Sequence, residues 1–118
     1  MKLLFICSAN QMRSPTAEAV FSKDEEIEAA SAGINPDAQT PVSADLVEWA
    51  DVVVAMEQVH KDHLQEQFGY LLRRKRLAVL DIPDRYAYMD PELVRLLREK
   101  IEPQLTGWRN EMADEGRF

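Results

Sequence analysis

Four short apolar runs alternate along the chain with four stretches of helical periodicity, and this alternation restricts the fold more than any other feature. Leu3 to Ile6 and Val52 to Ala55 are continuous and rich in branched or aromatic residues, the pattern of strands covered on both faces, which places them at the centre of a sheet. Ile27 to Ala32 alternates with Glu28, and Leu77 to Leu80 is brief and preceded by Arg73-Arg74-Lys75-Arg76, so both read as edge strands. The basic run reads as a solvated loop guarding its edge.

Helical spacing fills the intervals. Ser14 as N-cap with Pro15 at the first helical position opens a helix that continues through Ala17, Val20 and Phe21. Leu46, Trp49 and Ala50 mark a second, and a third is expected from about Glu57 to Phe68, stopping at Gly69. The fourth opens at Asp90-Pro91 and lines up Leu93, Leu97, Ile101, Leu105 and Trp108 on one face, with Pro103 expected to kink or divide it. The stretch from Asn110 to Phe118 is expected to fray.

Strand and helix in strict alternation imply a parallel sheet with right-handed crossovers, hence a three-layer α/β domain with helices on both faces. With the first and third strands central, the order is 2-1-3-4, a flavodoxin-like arrangement whose ligands bind beyond the carboxyl ends of the strands, where the winding reverses. The first strand ends there, at Cys7.

A length of 118 residues suits one domain spanning residues 1–118, and 46% hydrophobic content is too high for a disordered chain. No apolar run approaches the roughly 18 residues of a membrane span. The run after Lys2 has only about five residues before Ser8, short of a secretory signal, and bulky Ile6 precedes Cys7 where lipid attachment calls for a small residue. A net charge of −7 argues against sequence-independent nucleic-acid binding, which relies on Lys and Arg to neutralise phosphates. The single cysteine, Cys7, forms no internal disulfide, which points to a cytoplasmic setting and to a thiol as its working form.

From the first strand into the first helix the chain reads Cys7-Ser8-Ala9-Asn10-Gln11-Met12-Arg13-Ser14-Pro15. Backbone N–H groups of a tight loop and a helix N-terminus form an anion nest suited to a phosphate dianion, and the same field favours a thiolate nucleophile. Arg13 offers a planar fork for two phosphoryl oxygens. Ser14 can donate its hydroxyl to the sulfur, and Asn10 tolerates left-handed backbone and can tie the loop through its amide.

This strand, the C-x5-R-S loop with Asn at its fourth position, and the following Pro15-x-Ala17-Glu18 resemble the signature of low-molecular-weight protein tyrosine phosphatases. Ser31-Ala32-Gly33, Ala50-Asp51, Met56-Glu57 and an acidic loop before the last helix extend the resemblance over most of the chain. It departs in Ala9 where the family pattern has Gly, in Met12 where a second Cys is frequent, and in a shortened segment between Gly33 and Ser43, which would abbreviate one wall of the cleft.

The resemblance implies hydrolysis of a phosphomonoester through a phosphothioester at Cys7, with Arg13 and loop residues Ser8, Ala9, Asn10, Gln11, Met12 and Ser14 holding the phosphoryl group. Substrates would be a phosphotyrosine protein or a small aryl phosphate, with inorganic phosphate as product and no metal or organic cofactor. The general acid implied is Asp84, with Asp81 in reserve because the family's Asp-Pro order is reversed in Pro83-Asp84, and Tyr86 or Tyr88 would line the cleft. Two other readings remain open: an arsenate reductase supplied with an external thiol, and a phosphate-binding or phosphoprotein-binding module without turnover. Glu57-x-x-His60 and His63 have the spacing of helical metal ligands but lack a second carboxylate-histidine pair, so they read as exposed helix residues.

Overall fold

The structure, a computed structural model, describes residues 1–114. Strands β1 (Lys2–Cys7), β2 (Glu28–Gly33), β3 (Val52–Ala55) and β4 (Arg76–Val79) alternate with helices α1 (Arg13–Phe21), α2 (Ala44–Trp49), α3 (Gln58–Leu72) and α4 (Pro91–Asp114). The sheet is parallel throughout in the order β2-β1-β3-β4. Leu3 to Ile6 and Val52 to Ala55 are buried along their whole length, so the two continuous apolar runs are the two central strands.

Because side chains alternate across a strand, β1 divides the interior in two. Leu3, Phe5 and Cys7 face a core built with Ala17, Val20 and Phe21 of α1 and Leu93, Leu97, Ile101 and Trp108 of α4. Leu4 and Ile6 face the other, with Val47 of α2 and Leu64 and Leu72 of α3. This division carries Cys7 to the end of a central strand, under the first turn of α1.

Local details differ from the sequence-based expectations. Helix α1 begins at Arg13 with Met12 as its N-cap residue, and no side chain caps it. Ser14 lies inside the first turn because its hydroxyl is engaged by the interior of the loop rather than by the helix end. Helix α3 breaks where the sequence places its end, the backbone leaving helical geometry at Phe68 (φ −131°, ψ 20°), but a further helical segment then continues from Gly69 to Leu72. Pro103 does not divide α4, whose buried stripe from Leu93 to Trp108 holds both halves against the sheet. Residues 110–114, expected to fray, continue α4, and the remainder of that stretch, 115–118, lies outside the described residues.

The basic run is exposed at Arg73, Arg74 and Arg76, as expected of a solvated loop, and only Lys75 is partly buried. Lys75 donates to the carbonyls of Glu48 and Ala50, tying the β4 edge to the end of α2, and Arg76 opens β4 and pairs with Glu111. Among the described residues no helix is long and apolar enough to cross a membrane.

Candidate active site

The loop between β1 and α1 is shaped from outside. The carbonyls of Cys7, Ser8 and Ala9 accept the backbone N–H groups of Ile34 (3.0 Å), Asn35 (3.1 Å) and Gln39 (3.0 Å), so the short segment after β2 braces the back of the loop. Tying these carbonyls to a neighbouring segment keeps them from competing with the loop's amides, which a nest needs free for an anion. Gly33 makes the close approach possible: a Cβ there would collide with the carbonyl oxygen of Ser8 and crowd Asn10 N at 3.0 Å. Asn10 takes the left-handed conformation (φ 56°), whereas Ala9 is not among the described non-glycine residues with positive φ, so alanine fits that position without strain.

Inside the loop, a chain of hydrogen bonds converges on the thiol. Asn10 donates one amide hydrogen to Ser14 Oγ and the other to Ser31 Oγ, both at 2.9 Å, and Ser31 donates to Glu18 at 2.5 Å. Ser14 Oγ lies 2.9 Å from Cys7 Sγ. Ser14 Oγ accepts from Asn10 on one of its two lone pairs, and its single hydrogen has two acceptors in reach, the carbonyl of Ala32 at 3.4 Å and, when the sulfur carries charge, Cys7 Sγ.

Arg13 is almost completely buried (2% exposed) yet fully partnered on one side. Its NH1 group donates to Glu57 (2.6 Å) and to the carbonyl of Ile82 (2.8 Å). Both NH1 hydrogens are thereby spent, and the fork's remaining edge, Nε and NH2, is the one available to oxygens in the cleft. Asp84 Oδ1 stands 3.8 Å from Nε, too far for a hydrogen bond and close enough for charge attraction.

A cavity of about 200 Å³ lies over the sulfur, lined by Cys7, Ala9, Gln11, Met12, Arg13 and Asp84. The structure therefore brings Asp84 to the cysteine and the arginine. Asp81 instead lines a neighbouring depression with Glu57, Gln58, Val59 and Pro83. The tyrosines expected at the cleft wall are elsewhere. Tyr86 is a core residue (8% exposed) beneath the loop, because its ring completes the hydrophobic layer under α4, and Tyr88 is exposed without lining the cavity.

Glu57 and His60 reach this site from the start of α3, a connection that sequence reasoning missed. Their place just after β3, the strand beside β1 at the winding reversal, was the available signal. His60 is fully buried rather than exposed: Nδ1 accepts the Glu57 N–H at 3.0 Å and Nε2 lies 2.9 Å from Ser8 Oγ. Among the described residues no cluster of potential metal ligands exists, and His60 spends both ring nitrogens on hydrogen bonds.

Burial, reinforced by the Arg13 charge, lowers the His60 pKa from 6.5 to about 4, while Glu57 and Asp84 oppose the shift weakly and His63 adds to it. The unfolded chain therefore binds a proton in this range that the folded chain refuses. Stability from this residue is complete above about pH 6.5 and is lost as pH falls toward 4, by about 3 kcal/mol in all. Urea unfolding of the wild type and His60→Gln between pH 7 and 4 is expected to show a steeper loss in the wild type; parallel curves would refute the assignment.

The family model described as Low molecular weight phosphotyrosine protein phosphatase matches residues 2–45. A curated relative, the protein-arginine-phosphatase of Bacillus subtilis (strain 168), is 30% identical in a match of 96 aligned positions; the match covers 58% of this chain and 64% of that protein, a little under two thirds of its length. Among solved structures, a YwlE mutant from Bacillus subtilis superposes with a TM-score of 0.70 at 28% identity, covering 90% of this chain and 99% of that one. A YwlE arginine phosphatase variant with a phosphorylated active-site serine gives a TM-score of 0.70 at 26% identity, over 94% and 99% of the two chains.

Proposed function

We propose, for a chain that belongs to the low-molecular-weight phosphotyrosine protein phosphatase family, hydrolysis of a phosphorylated protein side chain through a phosphoenzyme on Cys7. The observation that carries this reading is the convergence of Cys7, the free edge of Arg13 and Asp84 on one cavity, beside a loop whose carbonyls are tied to the segment after β2. Cys7 Sγ attacks phosphorus while the bond to the leaving group breaks, and Asp84 gives that group its proton. Loop amides and Arg13 hold the three equatorial oxygens, where charge is greatest in the transition state. Asp84, now a carboxylate, takes a proton from water; the oxygen attacks phosphorus, the S–P bond breaks, and phosphate and thiolate are released. Water is the only co-reactant. The phosphorylated serine in the YwlE variant supports a covalent intermediate at the corresponding step.

Phosphotyrosine is the first substrate class, in keeping with the family. A phosphorylated arginine is the second, favoured by the arginine phosphatase relative and by a cavity lining without an aromatic ring. Its P–N bond needs the same proton donor, delivered to nitrogen. Phosphate release from a phosphotyrosine peptide and a phosphoarginine peptide, with inorganic phosphate binding measured alongside, decides between them. Binding without release from either peptide would leave a phosphate-binding module. Arsenate reduction only with an added thiol would favour the reductase, since Cys7 is the chain's single cysteine.

A further inference from the structure

The N-cap and first turn of α3 send Glu57 and His60 to the phosphate loop, and the proposed reaction accounts, through Arg13, for the first of them. Glu57 holds the back of Arg13. His60 lines neither the cavity nor the sulfur and so takes no part in proton transfer. Its Nδ1 accepts the Glu57 N–H, so a hydrogen on that nitrogen would face another hydrogen, and only the tautomer with hydrogen on Nε2 fits. Nε2–H then donates to Ser8 Oγ at 2.9 Å.

Ser8 follows the nucleophile directly and is clamped from two elements. Its hydroxyl is held by α3 through His60, and its carbonyl by the N–H of Asn35 at 3.1 Å. The same imidazole fixes the backbone of Glu57, whose carboxylate accepts from Arg13 at 2.6 Å. One buried ring thus links the start of the phosphate loop to the turn that orients the arginine. Electrostatic catalysis depends on donors held near their productive positions, so such a link bears on rate.

We propose that His60 is a positioning residue for phosphoryl transfer, acting through Ser8 to hold the first amide of the phosphate loop in register with the Glu57–Arg13 pair. This rests on the phosphatase reading above.

Two amide substitutions divide the functions of the ring. In His60→Gln the terminal amide replaces Nε2 and can still donate to Ser8; in His60→Asn the side chain can accept the Glu57 N–H but falls short of Ser8. His60→Asn and Ser8→Ala are each expected to lower kcat roughly tenfold, the worth of one well-made hydrogen bond. His60→Gln should stay within about threefold of wild type, and the double variant His60→Asn/Ser8→Ala should be no slower than either single change, because both remove the same contact. Inorganic phosphate affinity should weaken in the same order.

Equal kcat in the Asn and Gln variants, additive losses in the double variant, or wild-type kinetics in Ser8→Ala would each overturn the positioning role. Ser8 is only half-buried, so Ser8→Ala provides a test even if changes at His60 impair folding. A wild-type protein that neither releases nor binds phosphate would instead defeat the phosphatase reading itself.

Discussion

Cys7→Ser is expected to abolish phosphate release from every substrate while leaving the affinity for inorganic phosphate within a few-fold of wild type. The binding machinery does not depend on the sulfur: the loop is held by Ile34, Asn35 and Gln39 from behind, and Arg13 by Glu57 and Ile82. The chemistry does depend on it, because a serine hydroxyl is a far weaker nucleophile than a thiolate and a far poorer leaving group in the second step. Loss of a covalent nucleophile costs roughly 10⁴- to 10⁶-fold. Steady-state assays paired with phosphate titration by calorimetry check both halves, and undiminished turnover would end the covalent pathway.

Asp84→Asn should produce a loss that depends on the leaving group. For phosphotyrosine, whose phenol departs poorly without a proton, the rate should fall by about 10²- to 10⁴-fold. For an aryl phosphate with a strongly acidic phenol the loss should be much smaller, since that group leaves unassisted. Asp81→Asn should show neither effect, because Asp81 opens onto the adjacent depression and not onto the sulfur. The measurement is kcat/KM across a series of phenols for both variants; a leaving-group-dependent loss in Asp81→Asn would exchange their roles.

The layers of the fold were legible because each depends on local patterning. Continuous apolar runs distinguish strands buried on both faces, and helical spacing between them forces parallel crossovers. That topology alone places Cys7 at the winding reversal. The limits appear where a residue's role is fixed by a neighbour distant in sequence. Nothing local distinguishes Tyr86, in the core, from Tyr88, exposed two residues later. Gly33 stands out only once β2 is seen against the carbonyl of Ser8. Glu57 and His60 have a spacing compatible with metal ligation, and only the approach of α3 to the loop shows that they serve Arg13 and Ser8 instead. Ser14 fits an N-cap in sequence, yet a bond to a buried thiol claims its hydroxyl.

The grip of Ile82 on Arg13 also sets the range of movement of Asp84, the proposed acid. Ile82 is fully buried, and its carbonyl is bonded to the guanidinium only two residues before Asp84, which is 67% exposed. Two residues span at most about 7 Å of extended chain, so the carboxylate swings on a short tether whose anchor is Arg13, the proposed phosphate-holding residue. A wide, hinged excursion of this segment would have to uncouple the arginine first. On the proposed reading, leaving groups of different size would be accommodated by ψ at Pro83 and by the backbone and side chain of Asp84, with the carboxylate kept at the cavity it shares with Cys7.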